Sequence, residues 1–177
     1  SVGTVFVPID SRTRGKMRSY MLIHADFRGV VVGDYALQSL RAVVDQCPKL
    51  EWIWILSTGV GSDATDMPLR NRMLGPLLIE DVVALPLQVD DAESPMQKLY
   101  TSGTTGDPKA ILSPYSRFGF VASLGEVLGL QGSDRPYTGL SLTHANAQLI
   151  TLGTTLHTAV RGVFSRRFTK SRLWDIT

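Results

Sequence analysis

Residues 101–109 carry the chemistry most readily read from this chain. They run Thr-Ser-Gly-Thr-Thr-Gly-Asp-Pro-Lys, so that Ser102, Thr104 and Thr105 stand around two glycines, Gly103 and Gly106. Glycine takes φ > 0 freely and leaves backbone N–H groups uncovered, so several can converge on one negative group. The hydroxyls add donors, and the Lys109 ammonium is a compact, mobile charge suited to a phosphate oxygen. Gly-Asp-Pro alone is compatible with a polar β-turn between two strands. Ordinary turns rarely combine it with Thr-Ser-Gly-Thr-Thr-Gly and a Pro-Lys exit, so the stretch reads as a polyphosphate-binding loop.

It is not the phosphate loop that ends in Gly-Lys-Ser/Thr and enters a helix. Lys109 follows Asp107-Pro108, and Ala110-Ile111-Leu112 continues as an apolar, strand-like run. Pro108 cannot donate a ladder hydrogen bond and suits a strand start. The expected arrangement is strand, loop, strand.

The elements that must position this loop follow from periodicity. Val5-Phe6-Val7-Pro8-Ile9 reads as a short strand, and 16–24 as an amphipathic helix with Met17, Tyr20, Met21 and Ile23 or His24 at helical spacing. Gly29-Val30-Val31-Val32 reads as a buried strand, 35–46 as a helix with Leu37, Leu40, Val43 and Val44 on one face, and 52–56 as a strand. This alternation predicts an α/β fold, a mostly parallel sheet flanked by helices. Residues 59–75 read as a surface excursion, 77–84 as either strand or helix, and 89–95 as a linker. Beyond the loop, 114–128 reads as a helix, 138–142 as a strand, 145–160 as a helix and 162–165 as a strand. Thr169 or Ser171 could cap a short last helix.

Composition limits the alternatives. The 177 residues suffice for one buried core, and 44% hydrophobic with 19% charged residues is a globular balance. A net charge of +2 gives no global case for nucleic acid. The run Arg161, Arg166, Arg167, Lys170 and Arg172 is either a solvated face or an anion-facing patch. Cys47 is the single cysteine, so neither an internal disulfide nor a thiolate metal cluster can form. His24, His144 and His157 lack metal-ligand spacing, and no metal ligand is assigned. No apolar run reaches the ~18 residues of a membrane span, and the amino-terminal residues lack a signal-peptide plan. A cytoplasmic setting is the expectation. Trp52, Trp54 and Trp174 could stack on a base, but the alternation Trp52-Ile53-Trp54 is better explained by strand packing.

The stretch LYTSGTTGDPKAI resembles the signature YTSGTTGxPKG of the adenylate-forming superfamily, which includes acyl-CoA synthetases, aryl-CoA ligases, luciferases and peptide-synthetase adenylation domains. A second stretch, LSLTHANAQLITLGTTLHTAVRGVFSRRFTKSRLWDI at 140–176, is similar to LPLFHxxAQ…L…G…V…RFsaSrFWd of the fatty-acyl and carnitine-CoA ligases. Residues 3–34 match the superfamily more weakly, and the middle, about 57–93, matches poorly. The resemblance implies part of the large N-terminal domain of an acyl-CoA synthetase, with a βαβαβ segment at 1–57, an irregular connection at 58–95, and a phosphate-loop and acyl-pocket segment at 96–177. It also implies ATP, Mg²⁺ and CoA, and a small-molecule carboxylic acid as substrate.

Carried over residue by residue, the resemblance assigns Thr101, Ser102, Gly103, Thr104, Thr105, Gly106 and Lys109 to the β- and γ-phosphates of ATP and then to pyrophosphate. It gives Lys109 and His144 catalytic parts, with His144 beside the reacting carboxylate and Asn146, Ala147 and Gln148 bordering the acyl channel. Outside the motif, a lone histidine at a strand end is usually structural, and His24 and His157 are read as helix-face residues. Ser141 holds the usual proline position. Ala110 replaces the usual glycine after the lysine, which is costly if that position needs φ > 0 and harmless if it is an ordinary strand position. The later superfamily motifs are not found, so the chain is expected to be an internal fragment, without the C-terminal domain, that does not complete CoA ligation alone. The alternative is a non-catalytic nucleotide- or phosphate-binding remnant serving as an interaction or structural domain. A Ser-His-Asp hydrolase lacks its GxSxG elbow here.

Overall fold

The computed structural model describes residues 3–61, 70–74, 86–101, 107–165, 168 and 170–176, which fall into two compact units. One unit takes in Ser11–Ala84 and Thr105–Pro108, the other Ser1–Asp10, Leu85–Thr104 and Lys109–Thr177.

The first unit is built on a parallel sheet of β1 (Gly29–Gly33), β2 (Trp52–Leu56) and β3 (Arg70–Leu74), in that order. Parallel neighbours need a crossover, and between β1 and β2 it is made of a 3₁₀ turn at Asp34–Ala36, helix α2 at Leu37–Arg41, and a second 3₁₀ turn at Val44–Gln46. Leu37, Leu40, Val43 and Val44 are all buried, as their spacing predicts. One continuous helix does not form, because the β-branched Val43 leaves the helical region at φ −131°. Ile53 and Ile55 are fully buried while Trp54 and Leu56 between and beyond them are exposed, the period-two signature of a strand with one covered face. Trp52 and Trp54 share the other face, with ring centroids 4.7 Å apart, in line with packing along the strand. Gly29 lies opposite Trp52, and a Cβ there would collide with the indole. β3 lies inside the stretch expected to be a surface excursion.

Helix α1 (Gly15–Ala25) turns a different face inward from the one expected. Arg18, Leu22 and Ala25 are buried, whereas Met17 and Ile23 are exposed. The Arg18 guanidinium donates to the carbonyls of Ser11 and Thr13 in the preceding loop, and Leu22 and Ala25 follow at i+4 and i+7 on the same face. Burying a cation against loop carbonyls cannot be read from apolar spacing.

The second unit centres on an antiparallel hairpin of β4 (Pro95–Thr101) and β5 (Lys109–Pro114). The expected strand at Val5–Ile9 is reduced to one bridge between Phe6 and Gln97, since Pro8 cannot donate to a ladder. Helices α3 (Tyr115–Ala122) and α4 (Leu124–Val127) occupy the single helix expected at 114–128. The break falls at Ser123, whose hydroxyl bonds back to the Phe120 carbonyl at 2.8 Å. The helix expected at 145–160 begins as a π-helical segment, Asn146–Leu152, and ends as α5 (Gly153–Thr158), which closes at Ala159 in the left-handed region. Gly125 lets α4 approach α5: a Cβ there would lie 2.7 Å from Thr158 Cγ2. No strand forms at 138–142, where Gly139 turns the chain at φ +68°. None forms at 162–165 either, where the Val163 N–H donates to the Pro136 carbonyl at 3.0 Å. A 3₁₀ turn at Lys170–Arg172 leads into α6 (Leu173–Ile176). The expected readings at 62–69 and 75–85 lie outside the described residues.

Candidate functional site: a phosphate-loop hairpin and a histidine turn

The β4–β5 register sets Tyr100 opposite Ala110 and Thr101 opposite Lys109. Thr101 Oγ1 donates to the Lys109 carbonyl at 3.4 Å, so both ends of the candidate loop are tied at its base. The Lys109 side chain is exposed. Ser102, Gly103, Thr104, Thr105 and Gly106 lie outside the described residues. Ala110 is an ordinary strand residue, and its φ is not positive. Alanine in place of the usual glycine therefore carries no backbone strain.

His144 closes a turn rather than ending a strand. Its N–H donates to the Ser141 carbonyl at 2.8 Å. Ser141 Oγ accepts the Thr143 N–H at 3.3 Å and lies 2.9 Å from the Thr143 hydroxyl. At the position where the resembled pattern has proline, these bonds restrict the turn that a pyrrolidine ring would restrict. On the helix side, the Asn146 N–H donates to His144 Nδ1 at 3.3 Å and the Gln148 N–H to the His144 carbonyl at 3.2 Å. The Gln148 side-chain amide donates to the Leu142 carbonyl. His144 is exposed and Asn146 half-buried, whereas Ala147 and Gln148 are buried.

Asp34 was not singled out by its residue type, yet it joins the carboxyl ends of β1 and β2. It accepts the Thr58 hydroxyl, the Thr58 N–H at 2.8 Å and the Tyr35 N–H at 2.8 Å. The Thr58 hydroxyl first, and then the backbone donors, hold its carboxyl below the usual carboxylate range. An acid directly after a parallel strand was the only signal, because its partner lies 24 residues away.

The remaining histidines sit on helices. His24 stacks on Tyr20 with ring centroids 5.2 Å apart, and His157 Nε2 lies 2.9 Å from Glu126 Oε1. In the basic run, Arg161 and Lys170 are exposed, and Arg166 and Arg167 lie outside the described residues. Among the described residues, no helix is long and apolar enough to cross a membrane.

The parallel sheet with its helical crossover and the β4–β5 hairpin are the parts of an α/β fold. The profile of the AMP-binding enzyme family matches residues 1–177, and the chain belongs to that family. Human long-chain fatty acid transport protein 1 is 34% identical over 108 residues, covering 59% of this chain and 17% of that protein. The 4-hydroxybutyrate–CoA ligase 2 of Metallosphaera sedula is 34% identical over 128 residues, covering 71% of this chain and 23% of that protein. The crystal structure of the anthranilate CoA ligase AuaEII with anthranoyl-AMP shares the fold, with a TM-score of 0.73 at 21% identity over 90% of this chain and 30% of that one. The chain thus spans less than a quarter of the length of these curated relatives.

Proposed function

We propose that this chain is part of an AMP-forming acid–CoA ligase. The observation that carries the reading is the pairing of Thr101 with Lys109 at the base of the Ser-Gly-Thr-Thr-Gly loop, in a chain of the AMP-binding family. The M. sedula relative, named as a CoA ligase, supports the acid–thiol class. In this reaction a carboxylate oxygen attacks the α-phosphorus of ATP, pyrophosphate leaves, and an acyl-adenylate forms. The CoA thiol then attacks the acyl carbon, and AMP departs as the thioester forms. Negative charge grows on the departing pyrophosphate, for which Ser102, Thr104, Thr105, the loop N–H groups and the Lys109 ammonium are the proposed donors. The loop hydroxyls are hard oxygens of the kind Mg²⁺ accepts beside shared phosphates. His144 stands on the acyl side, near the carboxylate, with Asn146 beside it. A cytoplasmic compartment is part of the proposal.

Acid-dependent exchange between pyrophosphate and ATP tests this directly in the protein produced from its complete reading frame. Lys109→Ala is expected to lower the exchange rate more than about tenfold, roughly 1.4 kcal/mol of transition-state stabilisation. Exchange at the wild-type rate would overturn the assignment. Nucleotide binding with no exchange by the wild-type protein would replace it with a non-catalytic phosphate-binding role.

A further inference from the structure

We propose that Gln148 is a positioning residue for His144, fixing both the place and the tautomer of its imidazole. The functional consequence rests on the reading of His144 as the group beside the reacting carboxylate; the structural assignment does not.

The turn that carries His144 is exposed, with Leu142 at 44% of its accessible surface, and solvent alone would leave it many conformations. Gln148 is 4% exposed and sits in the helix beside the fully buried Ala147, so its own side chain has little freedom. From that anchor it reaches the turn twice. Its side-chain amide donates to the Leu142 carbonyl, and its backbone N–H donates to the His144 carbonyl at 3.2 Å. The backbone on both sides of Thr143 is thereby held to the helix, which is how a locked supporting residue orients a functional one.

With the backbone fixed, the Asn146 N–H points at His144 Nδ1 from 3.3 Å. A peptide N–H can only donate, so Nδ1 must be the acceptor and the ring proton sits on Nε2. His144 then presents an N–H outward. That group donates to a carboxylate oxygen and orients it for attack. It does not remove a proton through Nε2, which is already protonated. Gln148 thus acts on the acid through His144, from inside the helix.

Protein from the complete reading frame, ¹⁵N-labelled at histidine, gives the test by NMR without any substrate. The wild type is expected to show the Nε2–H tautomer of His144. Gln148→Met keeps the length but loses the donor, and is expected to bring the two tautomers to comparable populations. The same change should raise KM for the acid about fivefold while KM for ATP stays within about twofold. Gln148→Glu, whose ionised form cannot donate to Leu142, should act in the same direction. An Nδ1–H tautomer in the wild type would overturn the proposal, whether or not either variant folds. So would an unaltered tautomer ratio in a folded variant. A shifted tautomer with no change in KM for the acid would leave Gln148's role standing and remove His144 from the acyl side.

Discussion

Thr101 and Lys109 face each other across β4 and β5, with Thr101 Oγ1 3.4 Å from the Lys109 carbonyl. A loop whose two ends are fixed this closely loses less freedom when its donors gather on an anion than one with free ends. On the proposed phosphate reading, the hairpin contributes by bringing the entry and the exit of the loop together.

The same register decides what a return to the commoner residue at 110 would do. Ala110 pairs with Tyr100 inside the ladder. Ala110→Gly is expected to destabilise the protein by roughly 0.5–1 kcal/mol, through the greater freedom of glycine in the unfolded chain. Pyrophosphate exchange should stay within about twofold of wild type. Urea unfolding and exchange kinetics on the same preparation check both, and a tenfold faster variant would show that the loop needs glycine at 110.

The proposed function assigns His144 to the acid rather than to ATP. Its turn is built from Ser141, Thr143 and Gln148, none of which belongs to the hairpin. His144→Ala is expected to change KM or turnover for the acid while leaving KM for ATP within about threefold. Steady-state kinetics with each substrate varied in turn measures this. Loss of ATP affinity with acid preference intact would place His144 with the nucleotide instead.

Asp34 gives the protein an acid-side sensitivity with a definite sign. Its folded carboxyl titrates below the unfolded one, mainly because the Thr58 hydroxyl donates to the ionised form. The stabilisation is therefore complete above the unfolded value of about 3.9 and is lost as pH falls through the lower folded value. Asp34→Asn is expected to lower the urea midpoint at pH 7 and to flatten its decline in acid. Identical acid slopes for variant and wild type would show that Asp34 does not carry the effect.

The parts of the fold legible in the sequence were those fixed by local pattern. Ile53 and Ile55 alternate with tryptophans, Leu37 and Leu40 mark a buried face, and the proline-led exit at Pro108 marks a strand start; all three elements form. What escaped depends on partners distant in sequence or on one polar atom. Arg18 turns inward because loop carbonyls accept its donors, and Gly139 undoes a strand that its neighbours favour. Of the candidate site, the hairpin holding the loop was foreseeable. The turn holding His144 was not, because its ties run through Gln148 and a serine hydroxyl rather than through any repeat of residue types.

Phe6 meets the hairpin through two backbone bonds, to Met96 O and from Lys98 N–H, each 2.9 Å. The hairpin strands are joined by a short loop, but this bridge spans about ninety residues of chain, so its closure carries a far larger entropic cost for two bonds. Assembly then has an order in time. The hairpin is expected to zip while the chain is still largely open, and the segment around Phe6 to dock after it. In reverse it leaves first. The Phe6 amide should lose its deuterium protection well before those of β4 and β5, as a latch that lifts while the structure it closes is still intact.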